Sequence, residues 1–324
     1  MRIGLVGYFG WGNYGDELFF SAFNELFATH DVVIFHDPVQ EVLLPDFESL
    51  VDSVDAIVIG GGDLLVPSGI SWLYWNERFL KKPVFIYGIG VPTWVGSDAT
   101  ALEYYKKFFL HQNVKLICTR DGESAIWVKE YIKPNIEINV YPDIVLASAF
   151  PQKLVESRAV GLVLRNQPSY ETEMIYRLAD LTVQFGLSLK LILLGVGKTL
   201  ADDYEVINNF KFEKYEISIC DTNTLLSREI ASCKFVLSMK FHGVIAAYQS
   251  GVPFISLSGA DKFISFMSQT GNAQYSSYWT DTELPAKFER LIYEGSDFSR
   301  RFALTCAAKQ GLKKLHHAVT FVQA

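Results

Sequence analysis

The stretch KFVLSMKFHGVIAAYQSGVPFISLS, residues 234–258, holds three elements in one short span. KFVLSM is an almost unbroken apolar run, GVIAAYQSG has helical character and closes on a glycine, and PFISLS is apolar again. Near-continuous apolar strands on either side of a helix belong to a parallel sheet covered on both faces, because parallel neighbours need a crossover. Lys240 and His242 stand between the first strand and the helix. Ligands of open parallel sheets sit beyond the carboxyl ends of the strands, and a helix start there offers N–H groups and the positive end of a dipole. The turn is therefore a candidate anion site.

The same punctuation recurs outward from it. AVGLVLR, a helical ETEMIYRLADLTVQFG, LKLILLG, an excursion around YEVINNFKFEKYEISIC and a helical NTLLSREIASC lead into it. In the first half RIGLVGY precedes a helical DELFFSAFNELFATH. The strands DVVIFH, DAIVIGGG, PVFIYGIG, VKLICTRD and INVYPDIVL follow, with GESAIWVKEYIK helical. Between the halves PQKLVESR, residues 151–158, reads as a linker. The expected fold class is α/β, with two Rossmann-like doubly wound domains at 1–152 and 158–300 facing across a cleft, in a glycosyltransferase-B-like arrangement. A C-terminal helix is expected over 301–324.

A chain of 324 residues suits two domains, and 49% hydrophobic with 20% charged residues is globular. The net charge of −7 supplies no basic footprint for nucleic acid. Cys118, Cys220, Cys233 and Cys306 form no CxxC pair and read as free thiols of a reducing cytoplasm. The N-terminal MRIGLVGYFGWGNYGDE reads as a buried first strand rather than a signal peptide, and no run approaches the roughly 18 apolar residues of a membrane span. A cytosolic protein is expected.

The loops after the strands hold the candidate residues. In GYFGWGNYGDE, residues 7–17, a helix is expected to begin near Glu17. Asp16 is then either its cap or a carboxylate that receives sugar hydroxyls or acts as a base, and Asn13 carries the same two readings. GGGDLL, residues 60–65, is a tight turn capped by Asp63 or a backbone floor for a ligand. YGIGVP is a similar turn, TRDGES a helix start capped by Asp121, and Asp143 an acid close to the linker. Arg165 ends GLVLR, where its planar fork suits a carboxylate or phosphate, or pairs with a neighbouring acid. His30, His36, His111, His316 and His317 show no ligand spacing and read as structural or solvated.

In this order, GYFGWGNYGDE, GGGDLL, GIGVP, TRDGES, YPDIVL, GLVLR, SMKFHG and SGADKF resemble the polysaccharide pyruvyl transferase family over residues 1 to about 267. The resemblance implies a glycosyltransferase-B-like fold and transfer of the enolpyruvyl unit of phosphoenolpyruvate to a sugar. The usual product is a cyclic pyruvate ketal on a cell-surface glycan or its precursor. Arg165, Lys240, Phe241 and His242 are implied as donor contacts. The family's arginine–leucine–histidine segment reads Lys240, Phe241, His242 here, and lysine lacks arginine's two-pronged grip. SGADKF departs from the family's tyrosine–aspartate–x–lysine run, although Asp261 and Lys262 match its second half.

His242 and Asp16 are the candidate catalytic groups, His242 as proton donor or phosphate contact. Asn13, Asp16 and Asp63 are candidate acceptor contacts, and Trp11, Trp72, Trp75 and Trp94 candidate platforms for sugar faces. No metal or cofactor is expected, since cationic side chains can neutralise the donor. The expected partners are phosphoenolpyruvate and a sugar or lipid-linked oligosaccharide, with no nucleic acid and no transmembrane segment. A lipid-linked acceptor would place the enzyme at the inner face of the membrane, a contact that KQGLKKLHH faintly hints at. Two rivals stay open: a nucleotide-sugar glycosyltransferase with Arg165 and Lys240 as diphosphate ligands, and a non-catalytic glycan-binding relative.

Overall fold

The computed structural model describes residues 1–153, 157–165, 172–208 and 215–321. Parts of four expectations lie outside these residues: 154–156 of the linker, 171 at the start of the helix ETEMIYRLADLTVQFG, 209–214 of the excursion and 322–324 of the last helix.

The first sheet contains β1 (Arg2–Val6), β2 (Asp31–Ile34), β3 (Ala56–Gly62), β4 (Val84–Ile89), β5 (Val114–Thr119) and β6 (Ile138–Val140). Its helices are α1 (Tyr14–Leu26), α2 (Phe47–Ser53), α3 (Ala99–Phe109) and α4 (Gly122–Trp127). The strand order is β2-β1-β3-β4-β5-β6 with every pair parallel. β3 and β4 are buried at every residue, which is what central strands covered on both faces require. Ile57, Ile59 and Ile86 share one core with Trp75, Phe79 and Phe108.

The second sheet repeats the plan with β7 (Ala159–Val163), α5 (Thr172–Gln184), β8 (Ser188–Ile192), α6 (Lys198–Asn208), β9 (Tyr215–Ser218) and α7 (Asn223–Ala231). It continues with β10 (Phe235–Ser238), α8 (Phe241–Ser250), β11 (Phe254–Leu257), α9 (Asp261–Gln269), β12 (Ser276–Ser277) and α10 (Leu284–Glu294). The order is β12-β11-β10-β7-β8-β9, again parallel. α11 (Arg301–Thr320) follows. The order reverses between β1 and β3 in one sheet and between β7 and β10 in the other, and such switch points open a crevice at the carboxyl ends of the flanking strands.

By contact the chain divides into two compact units. One comprises Met1–Gly10, Asp16–Ser148 and the chain from Ala303 on; the other comprises Trp11–Gly15 and Ala149–Phe302. This division differs from the boundaries expected from sequence in three places: the first unit's main segment ends at Ser148 rather than 152, Trp11–Gly15 joins the second unit, and α11 joins the first, the last two with a visible cause. Trp11–Gly15 is stitched to the loop after β8 and the start of α6: Tyr14 N donates to Leu194 O (3.2 Å), Val196 N to Gly12 O (2.8 Å) and Thr199 Oγ1 to Gly12 O (2.6 Å). The Tyr14 hydroxyl also bonds Ser227 Oγ at 2.8 Å. α11 counts with the first unit because Gly311 lies directly against Tyr87 and Tyr141, and His316 stacks on Phe27. The four cysteines are free thiols. Among the described residues no helix is long and apolar enough to cross a membrane.

Candidate functional site

In the second unit, Val163 and Ser238 are paired in register and Met239 N donates to Val163 O at 2.8 Å. The chain therefore leaves β7 and β10 side by side, with Arg165 two residues past one strand and Lys240 two residues past the other. The turn into α8 is clamped by Ser238, whose Oγ accepts the Lys240 N–H at 3.1 Å and donates to the Lys240 carbonyl at 2.7 Å. Lys240 is the residue preceding α8, in extended conformation and without a side-chain cap.

The Lys240 ammonium meets the carboxylate of Asp203 on α6, 2.5 and 2.7 Å from its two oxygens. The Asp203 side chain is 4% exposed. Burial pushes the Lys240 ammonium down from its usual range, and Asp203 opposes this. Burial likewise pushes the Asp203 carboxyl up, opposed by Lys240. Lys240, the donor contact implied by the resemblance, thus has its charge matched by Asp203 inside the unit. Arg165 is exposed, close enough for its charge to lower Lys240 further, and among the described residues no carboxylate forms an ion pair with it.

His242, in the first turn of α8, packs on the backbone of Gly15. A Cβ at Gly15 would lie 1.8 Å from the His242 Nδ1, so this glycine is needed for the close approach. Phe241 is buried edge-to-face against Phe263 (5.3 Å) and Phe266 (5.7 Å), with Lys262 Nζ 5.7 Å above its ring. Its ring is core, so what Phe241 can offer a donor is its backbone N–H at the helix start. Asn13 belongs to this unit as well. Its Oδ1 accepts the Gly15 N–H at 3.2 Å, while its backbone bridges Gly195. The helix thus starts at Tyr14 rather than near Glu17, and its cap is Asn13, not Asp16.

The first unit arms its switch point differently. Asp16 sits in the first turn of α1, one carboxylate oxygen 3.2 Å from where a Cβ of Gly62 would stand, at the end of β3. Gly62 has φ 84°, a conformation that leaves this strand end without a side chain of its own. Burial pushes the Tyr74 hydroxyl up, and the Asp16 charge adds to it. Asp63, just past β3, is ion-paired to Arg120, which follows β5 and is only 4% exposed. Arg120 Nε lies 3.5 Å from Asp121 Oδ2. Burial works against the Arg120 guanidinium, but Asp63, Asp143 and Asp121 hold it protonated. Asp121 caps α4, accepting the Ser124 N–H at 2.7 Å, as expected from TRDGES.

Trp11 and Trp75 are buried in the core and cannot stack on a sugar, whereas Trp72 and Trp94 are exposed. A cavity of about 420 Å³ opens beside the start of α6, lined by Gly197, Leu200, Ile219, Cys220, Asp221 and Leu225; its lining includes none of Arg165, Lys240 and His242. Sequence reasoning missed Asp203, Ser238 and Arg120. Ser238 and Arg120 stood inside quoted motifs, next to residues that drew the attention. Asp203 lies mid-helix in KTLADDYEVIN, where only tertiary packing reveals its role.

The family model for polysaccharide pyruvyl transferase matches residues 13–261, well over half of the chain. No curated protein matches in sequence. Among solved structures, accessory secretory protein 1,2 and 3 of Streptococcus pneumoniae is 11% identical with a TM-score of 0.54. The match covers 86% of this chain and 56% of that one, so this chain spans little more than half of that length. S. aureus MnaA with UDP is 10% identical, with a TM-score of 0.63 over 100% of this chain and 98% of that one. Anabaena Alr3699/HepE in complex with UDP-glucose is 13% identical, with a TM-score of 0.58 over 99% and 98%. At these identities the likeness shows the fold alone: α/β, with two Rossmann-like domains of the glycosyltransferase-B kind.

Proposed function

The chain belongs to the polysaccharide pyruvyl transferase family, a family of transferase enzymes, and on that footing we propose that phosphoenolpyruvate is its donor. The enolpyruvyl unit passes to hydroxyls of a sugar in a cell-surface polysaccharide or its precursor, giving a pyruvate ketal and free phosphate. The observation that supports this reading most is the β7/β10 switch point. Exposed Arg165 stands on one bank, and the start of α8 with His242 stands on the other. A guanidinium fork and a helix N-terminus are both suited to a small phosphorylated carboxylate.

The chemistry assigns one task to each group. A proton is delivered to the methylene carbon, and positive charge develops at C2. One sugar hydroxyl adds at C2, phosphate departs with the C2–O bond, and a second hydroxyl closes the ketal. His242 is the candidate to deliver that proton or to hold the phosphate. Lys240, neutralised by Asp203, fixes the turn more than it attracts the donor. Asp16, with Asn13 and Asp63, is assigned to the acceptor, Asp16 as the base. The reaction calls for no metal or cofactor. A lipid-linked precursor would be met at the inner face of the membrane.

Heat stability and phosphate release separate this reading from its rivals. Phosphoenolpyruvate is expected to raise the melting temperature, and phosphate should appear only with a galactose-, glucose- or mannosamine-containing acceptor. Stabilisation by UDP- or GDP-sugars alone would overturn the reading in favour of a glycosyltransferase. Glycan binding without phosphate release would mark a non-catalytic relative.

A further inference from the structure

We propose that the outer face of α11 is a docking surface for a bilayer that carries anionic lipid headgroups. Residues 300–324 contain Arg300, Arg301, Lys309, Lys313 and Lys314 and no Asp or Glu. The rest of the chain carries 24 basic against 36 acidic residues, since the whole has 29 and 36. An acid-free segment at the end of so acidic a chain is a local departure in composition, and the structure shows what it does on the helix.

Ala308, Gly311, Leu315 and Val319 are buried and form the inner stripe of α11. On the opposite side Phe302, Lys309, Lys313, His317 and Phe321 are exposed. At about 100° per residue these five positions fall within an arc of roughly 120°, centred opposite the buried stripe. Phe302 is 80% exposed and Phe321 is 62% exposed, with the Phe321 ring on the His317 imidazole at 4.3 Å. Lys314 turns aside to donate to Asn139.

A merely solvated helix face interleaves acids with its lysines, because Glu–Lys pairs four residues apart support the helix. This face has none, and it places a bare aromatic ring near each end of a row of cations. That is the pattern of a helix lying in the plane of a membrane surface: lysines meet the headgroups and the rings enter the boundary with the acyl chains. The acidic remainder of the chain would turn away from an anionic bilayer and so orient the helix toward it. The inference stands on the helix alone, and with the function proposed above it would hold the enzyme where a lipid-linked acceptor is found.

The test is sedimentation of the full chain with vesicles of phosphatidylcholine alone or with about one-third phosphatidylglycerol, at about 0.1 M and 0.5 M salt. Binding is expected only with phosphatidylglycerol and only at the lower salt. Each lysine removed should weaken partitioning about fivefold, so the K309Q/K313Q variant should lose roughly 25-fold. F302A/F321A should lose binding as well, and its circular dichroism reports whether α11 still folds. Absence of wild-type binding would overturn the proposal, as would equal binding by the lysine variant. Retention on a single-stranded oligonucleotide or an acidic protein without vesicle binding would reassign the face to that partner and also overturn it. Phosphate release with a soluble acceptor should be unchanged in both variants, which keeps the fate of this proposal separate from that of the reaction.

Discussion

At the β1/β3 switch point the strand ends carry carboxylates, Asp16 and Asp63, and the balancing charge is a buried cation, Arg120. At the β7/β10 switch point the strand ends carry Arg165, Lys240 and His242, and the balancing charge is a buried anion, Asp203. The two sheets share a topological device and invert its electrostatics. In each, one buried partner fixes one strand-end residue and leaves another with a different task. Arg120 fixes Asp63 beside Asp16, and Asp203 fixes Lys240 beside Arg165. A buried ion is tolerable only when paired, so each pair is rigid. On the function proposed above, the groups beside the fixed ones would meet the ligand: hydroxyls on the acidic side, an anion on the basic side.

The sharpest way to break this comparison is at His242. His242→Ala should lower the rate of acceptor-dependent phosphate release by about 10²- to 10⁴-fold, the usual contribution of a positioned acid or base. A loss below tenfold would leave His242 without a chemical role.

The buried partners come next. Arg120→Met in one unit and Asp203→Leu in the other should each cost about 3–5 kcal/mol in chemical denaturation, because each strands an opposite charge. Asp203→Leu combined with Lys240→Met should recover most of that loss. Additive losses in the double variant would show that the pair is not coupled.

Gly15→Ala tests the contact between the Asn13–Gly15 turn and the imidazole. Its Cβ would occupy the space of His242 Nδ1, so the rate should fall by about 100-fold, the order of effect of a displacement near 1 Å. A rate like that of the wild type would mean that His242 has room to shift without consequence.

The smallest effect belongs to the first unit alone. His36 bonds the Phe9 carbonyl at 2.7 Å, and burial holds its pKa below the usual 6.5, against the opposing pull of that bond and of nearby acids. A depressed folded-state pKa means that its contribution is present above the unfolded value and is lost as pH falls through the folded one. Lowering the pH from 7 to 5.5 should therefore destabilise the wild type by up to about 1 kcal/mol more than His36→Gln. Parallel pH profiles of the two proteins would contradict this.

Strand-by-strand the fold was legible, because apolar runs such as DAIVIG and KFVLSM admit few alternatives to a buried parallel strand. The placement of residues at the strand ends was half legible. Glycines and charged residues in GGGDLL and SMKFHG mark chain exits in any doubly wound sheet, and the family resemblance added roles to them. What the sequence could not carry was pairing between distant segments. Asp203 lies 37 residues from Lys240, and Arg120 lies 57 from Asp63, so no local pattern announces either bond. The helix start at Tyr14 was also hidden, because it depends on Gly12 and Tyr14 bonding to a loop some 180 residues away.

The most direct measurement is calorimetric titration of phosphoenolpyruvate into the wild type, Arg165→Ala and Asp16→Asn. The expected result is saturable binding by the wild type, loss of roughly 30-fold or more in affinity for Arg165→Ala, from the charged bonds removed, and little change for Asp16→Asn. Unchanged binding by Arg165→Ala, or loss confined to Asp16→Asn, would contradict the assignment of the donor anion to the β7/β10 strand ends.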